Sequence, residues 1–94
     1  MLIIAGSLFL DPALRSKFLE GNAGVAKQAR QSNGCLDFVQ AADPLDPSRI
    51  NVFERWESED DLLAFRGEGK PAPDSPSILR ADVVRYGISS VGAP

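Results

Sequence analysis

Apolar residues gather in six stretches along this chain, and their spacing changes from strand-like to helix-like and back. Leu2–Leu10 (LIIAGSLFL) is apolar and β-rich, which predicts a buried strand. Asp11-Pro12 then starts a helix, because Asp caps and Pro is preset for the first helical position. Leu14, Phe18, Val25 and Ala29 share one helical face through about Gln31, with a kink expected near Gly21 and Gly24. Asn33-Gly34 stops the helix, since both residues tolerate positive φ. Cys35–Ala41 reads as a second strand and Arg49–Trp56 as a third, joined into a hairpin by the turn formers Asp43 to Ser48. Ser58 caps a second helix with acidic residues in its first turn. Leu62, Leu63 and Phe65 form its apolar side, and Gly67 and Gly69 end it. A Pro-rich loop over Lys70–Ser77 leads to a fourth strand, Ile78–Ile88, and a frayed tail over 89–94.

The order β-α-β-β-α-β predicts one ferredoxin-like α+β domain over residues 1–94. Its four-stranded antiparallel sheet would carry both helices on one face. Strand alternation separates Ile50, Val52, Glu54 and Trp56 from Asn51 and Phe53, and both sets contain apolar residues. Helices can cover one side only. A second copy of the chain is therefore expected to cover the other, giving a homodimer.

Composition narrows the chemistry. Ninety-four residues leave no room for a second core. Ten basic against thirteen acidic residues, a net charge of −3, argue against nucleic acid. No apolar run approaches the ~20 residues of a membrane span, and the opening segment lacks the basic start and cleavage site of a signal peptide. The single cysteine, Cys35, reads as a small buried apolar residue and suits a reducing cytoplasm. There is no histidine, which removes an imidazole base, His-activated nucleophiles and a His haem ligand.

The stretch Gly34-Cys35-Leu36-Asp37-Phe38, then Asp46-Pro47 with Arg49-Ile50, then Phe53-Glu54-Arg55-Trp56-Glu57-Ser58 and Leu62, resembles the antibiotic biosynthesis monooxygenase family. The resemblance covers roughly residues 1–88 and is most specific at the strand-to-helix Glu-x-Trp-x-Ser piece. It implies a dimeric α/β barrel, with a pocket in each subunit between sheet and helices. It also implies oxidation of an aromatic quinol, phenol or polyketide by O2 with no cofactor. Some positions depart from the family. Phe65 stands where many members carry a His, which argues against haem degradation. Val52 and Leu62 occupy the Asn and Tyr positions of the quinone-forming branch. Asn51 is one residue away and so on the opposite strand face, a candidate substrate contact that can stand in only if the strand bulges.

The candidate site residues each carry two readings. Glu54, on an apolar strand face, either pairs with Arg55, Arg80 or Arg85 or takes a proton from the substrate. Trp56 is either a corner aromatic of the core or a wall that stacks on a flat ligand. Arg85 and Tyr86 are either a rim ion pair and a packed ring or contacts to a substrate oxygen. Phe38 and Phe65 would line the pocket if they are not simply core, as Phe9 and Phe18 are expected to be. Two other classes fit the same residues. One is a non-catalytic ligand-binding or dimerisation module. The other is a cyclase or isomerase, in which Glu54 would enolise a carbonyl.

Overall fold

The computed structural model describes residues 1–68 and 76–94. Strands β1 (Leu2–Phe9), β2 (Cys35–Ala42), β3 (Arg49–Trp56) and β4 (Arg80–Gly87) form one antiparallel sheet in the order β2-β3-β1-β4. Helix α1 (Arg15–Arg30) joins β1 to β2, and α2 (Glu59–Glu68) follows β3. This is the ferredoxin-like α+β fold that the element order predicts. The first helix begins later than Asp11-Pro12 implies. Asp11 caps a short 3-10 turn, Pro12–Leu14, by accepting the Ala13 N–H, and the α-helix starts only at Arg15. Leu14 consequently lies off the apolar face and is exposed. Despite Gly21 and Gly24, α1 runs as one continuous helix. Gly34 takes positive φ, at 77°, where Asn33 does not.

Helix α2 opens on Ser58 as its N-cap. Ser58 Oγ accepts the Asp61 N–H at 3.2 Å and donates to Asp61 Oδ2 at 2.8 Å. Gly67 continues this helix instead of ending it. Gly69 and residues 70–75 of the expected loop lie outside the described residues. Leu62 and Phe65, three apart, face the sheet and are buried, while Leu63 is turned about 100° away and half exposed. The fourth strand is shorter than expected because Ile78 and Leu79 precede its first ladder pair, Phe9 with Arg80.

Register assigns the paired strand residues to a side; a bulge between Cys35 and Asp37 leaves Leu36 of β2 without a ladder partner. On the helix side lie Leu2, Ile4, Gly6 and Leu8 of β1, with Ile50, Val52, Glu54 and Trp56 of β3 and Phe38 of β2. Two clusters fill this side. One gathers Leu2, Ile4, Ala29, Phe38, Trp56, Leu62 and Phe65, the other Leu10, Phe18, Ile50 and Val52. Trp56, Ile50 and Leu62 are completely buried. Enclosing one indole removes roughly 200 Å² from water, on the order of 5 kcal/mol. Gly6 has φ 150°, and a Cβ there would run into the Asp82 carbonyl, so β1 and β4 can approach only because the position has no side chain.

The far side of the sheet carries Ile3, Ala5 and Phe9 with Val39, Phe53, Val84 and Tyr86. Among the described residues no helix lies on it, and Val84 and Tyr86 are about half exposed. Phe9, expected in the core, sits here under the Arg80 guanidinium, 4.2 Å from the ring centroid. At one end of the β2–β3 hairpin, Arg15 Nη1 donates toward the carbonyls of Asp46 (2.9 Å), Asp43 (3.2 Å) and Arg49 (3.4 Å). Among the described residues, no helix is long and apolar enough to cross a membrane.

Candidate active site

Strand alternation puts Glu54 among hydrocarbon. Its register partners are Phe38 on β2 and Ile4 on β1, both buried. Burial pushes the Glu54 carboxyl above its ordinary range, while a hydrogen bond from Trp56 and the Arg66 cation partly offset that rise. The bond runs from the indole Nε1–H to Glu54 Oε1 at 3.1 Å. Of the three arginines considered as ion partners, Arg80 pairs with Asp82 and Arg85 with Glu59, leaving Glu54 to the indole. Arg55 extends from the opposite face, where its Nε is buried with no hydrogen-bond partner among the described residues.

Between α2 and β4 is a cleft of about 230 Å³ lined by Ile4, Arg66, Val83 and Arg85. Glu54 does not itself line it, but is linked to it through its register partner Ile4 and the Arg66 cation that acts on its charge. Arg85 Nη1 donates to Glu59 Oε1 at 2.7 Å, an exposed pair that ties β4 to the first turn of α2. The volume is small beside pockets that enclose drug-sized ligands, which run from about 300 Å³ upward. It suits one ring rather than several.

Phe38, Trp56 and Phe65 come together as a buried aromatic cluster. Phe65 meets Trp56 at 5.4 Å and Phe38 edge-on at 6.0 Å between centroids. Trp56 has no exposed surface. Asn51 and Tyr86 are on the far side of the sheet from Glu54. Asn51 donates to Asp43 Oδ1 at 2.8 Å and accepts from Arg49 Nε at 2.6 Å. Its hydrogen bond is the main reason the Asp43 carboxyl falls to about 2. The structure therefore brings Glu54, Trp56, Phe38 and Phe65 together, sets Arg85 at the cleft, and separates Asn51 and Tyr86 from them. Arg66, Ile4 and Val83 were not read from the sequence. The available signal for Arg66 was its position four residues after the buried Leu62, on the same side of α2. Cys35 is partly buried, and burial, followed by the Glu54 charge, raises its thiol, as befits an unreactive cysteine.

Comparisons with known proteins agree with this architecture. No curated protein matches the sequence. A protein from Deinococcus radiodurans carrying the antibiotic biosynthesis monooxygenase name superimposes with a TM-score of 0.83 at 15% identity, covering 100% of this chain and 98% of that one. One of the same name from Nitrosomonas europaea gives 0.80 at 16%, covering 96% and 100%. MhuD, solved with two manganese protoporphyrin IX molecules per active site, gives 0.73 at 18%, covering 99% and 100%. At these identities the structures speak for the fold alone, but the sequence itself matches the family over residues 1–70, Glu54 and Trp56 included. This chain belongs to the antibiotic biosynthesis monooxygenase family.

Proposed function

We propose that the chain is a cofactor-independent monooxygenase of a small electron-rich aromatic, a phenol or hydroquinone, with Glu54 as the proton acceptor. The observation that carries this reading is a carboxylate held among Phe38, Ile4 and Trp56, its proton affinity raised by burial, with the cation acting on it, Arg66, lining a one-ring cleft. A base poised above the usual carboxylate range is better matched to a phenolic proton. Arg66, at the same cleft, favours the phenolate once the proton has moved. The phenolate passes an electron to O2, and the ring supplies all four electrons. One oxygen atom enters the ring, the other leaves as water, and a hydroquinone becomes a hydroxyquinone. The protein contributes orientation and a dry site.

Purified protein is expected to consume O2 with a hydroquinone, and the product should be one oxygen heavier and two hydrogens lighter than the substrate. A panel of hydroquinones and anthrones in an oxygen electrode, followed by mass spectrometry, measures both. Uptake no faster than buffer with every compound would end the oxygenase reading. Product of unchanged mass would point to an isomerase or cyclase. Phe65, Val52 and Leu62, standing at the family's His, Asn and Tyr positions, favour a second reading: a binding module that holds a ligand without turnover. That reading expects saturable binding with the ligand recovered intact.

The partner in this proposal is a second copy of the chain, seated on the far side of the sheet. Ile3, Phe53 and Val84 are apolar there, and Val84 is about half exposed in the single chain. Light scattering at micromolar concentration is expected to give twice the 10.1 kDa chain mass. A stable monomer would remove the barrel.

A further inference from the structure

On the other flank of the molecule, away from Glu54, α1 and the edge strand β2 enclose a groove of about 470 Å³. Leu19, Asn22, Ala23, Ala26, Lys27 and Arg30 line it at helical positions i, i+3, i+4, i+7, i+8 and i+11, a single stripe along α1. Gln40 faces them from β2. Its volume falls in the range of small-molecule sites and is about twice that of the Arg66 cleft. Leu19, Ala23 and Ala26 give it an apolar length, and the cations stand together toward the C-terminal end of the helix.

Cations in a last turn are ordinary, because the helix dipole favours them. Two further facts set these apart. Arg30 Nε donates to the Phe38 carbonyl at 2.9 Å, which anchors the guanidinium against β2. Among the described residues, Lys27 and the terminal nitrogens of Arg30 have neither a carboxylate nor a hydrogen-bond acceptor, on a chain of net charge −3. An apolar trough ending in an anchored, unpaired guanidinium and an ammonium complements one ligand chemistry, a short hydrocarbon with a single anionic head. A polyanion would meet the net negative charge of the rest of the protein.

We propose that this groove is a second binding site, independent of the oxygenase site, for a medium-chain aliphatic carboxylate. The alkyl chain lies along Leu19, Ala23 and Ala26, and the carboxylate is held by Lys27 and Arg30. Octanoate, titrated calorimetrically into the full chain at low salt, should bind with a Kd on the order of 1 mM or tighter. Octanol and acetate, each lacking half of the recognition, should bind at least tenfold more weakly. In amide spectra the shifts should cluster at residues 19–31 and Gln40. Lys27→Gln should weaken octanoate about threefold, the usual size of an exposed charge contact. Ala23→Phe, on the helix surface, should fill the trough and abolish binding at an unchanged melting temperature. Equal affinity for octanol, shifts centred elsewhere, undiminished binding to the filled variant, or no binding at about 10 mM would each overturn the site.

Discussion

Replacing Trp56 with Ala is expected to destabilise the protein by about 3–5 kcal/mol, the usual cost of deleting a buried aromatic. Small domains are stable by roughly 5–15 kcal/mol, so a large part of the stability would go at once. The ring is fully buried and packs on Phe65, in the same cluster as Leu2, Ile4 and Leu62. The substitution also removes the N–H that Glu54 accepts, leaving a half-buried carboxylate without its donor. Trp56→Phe separates these effects: it keeps most of the volume and loses the hydrogen bond, so it should cost clearly less than Ala. Urea midpoints for both variants check the ranking. An Ala variant within 1 kcal/mol of the parent would mean that Trp56 is not the keystone of this core.

The second large effect is catalytic. Glu54→Gln should lower hydroquinone turnover by about 10²–10⁴-fold, the range of a positioned general base, with little loss of stability at neutral pH. The amide oxygen can still accept the Trp56 N–H, and the buried charge is gone. In the parent, activity should rise with pH as Glu54 loses its proton, above the ordinary Glu value of 4.5 because burial raises it. Stability should move the other way. A carboxyl with a raised folded-state pKa binds its proton more readily in the folded chain, so stability falls as pH climbs from the unfolded value through the folded one. The Gln variant should lose both dependences. Turnover within tenfold of the parent, or an unchanged pH profile, would remove Glu54 from the chemistry.

The sequence made the fold legible because its local signals agreed. Period-2 runs, the Ser58 cap and the Asp43 to Ser48 turn each mark a boundary, and Arg49–Trp56 is the third strand to the residue. The disagreements arise where long-range geometry overrides local preference. Gly67 has the propensity to end α2, yet the helix continues through it. Phe9 is as apolar as Phe18, but strand parity sends it to the other face. Glu54 could be found because one charge on an apolar face stands out. Its partner could not, since three arginines were plausible and the donor is an indole two residues on in the same strand. Arg66 and the cleft depend on how α2 is set over β1 and β4, which no short-range pattern encodes.

The Arg15 side chain, spread across three carbonyls of the β2–β3 connection, has a further consequence. One nitrogen with two protons cannot serve three acceptors equally, and the 3.4 Å contact is the weakest. The first turn of α1 and a loop about thirty residues downstream thus share one fastener. Insertions near Leu45, although that residue is almost wholly in water, would loosen the start of the helix as much as the loop itself, so this corner is a poor place to graft a tag or a foreign segment.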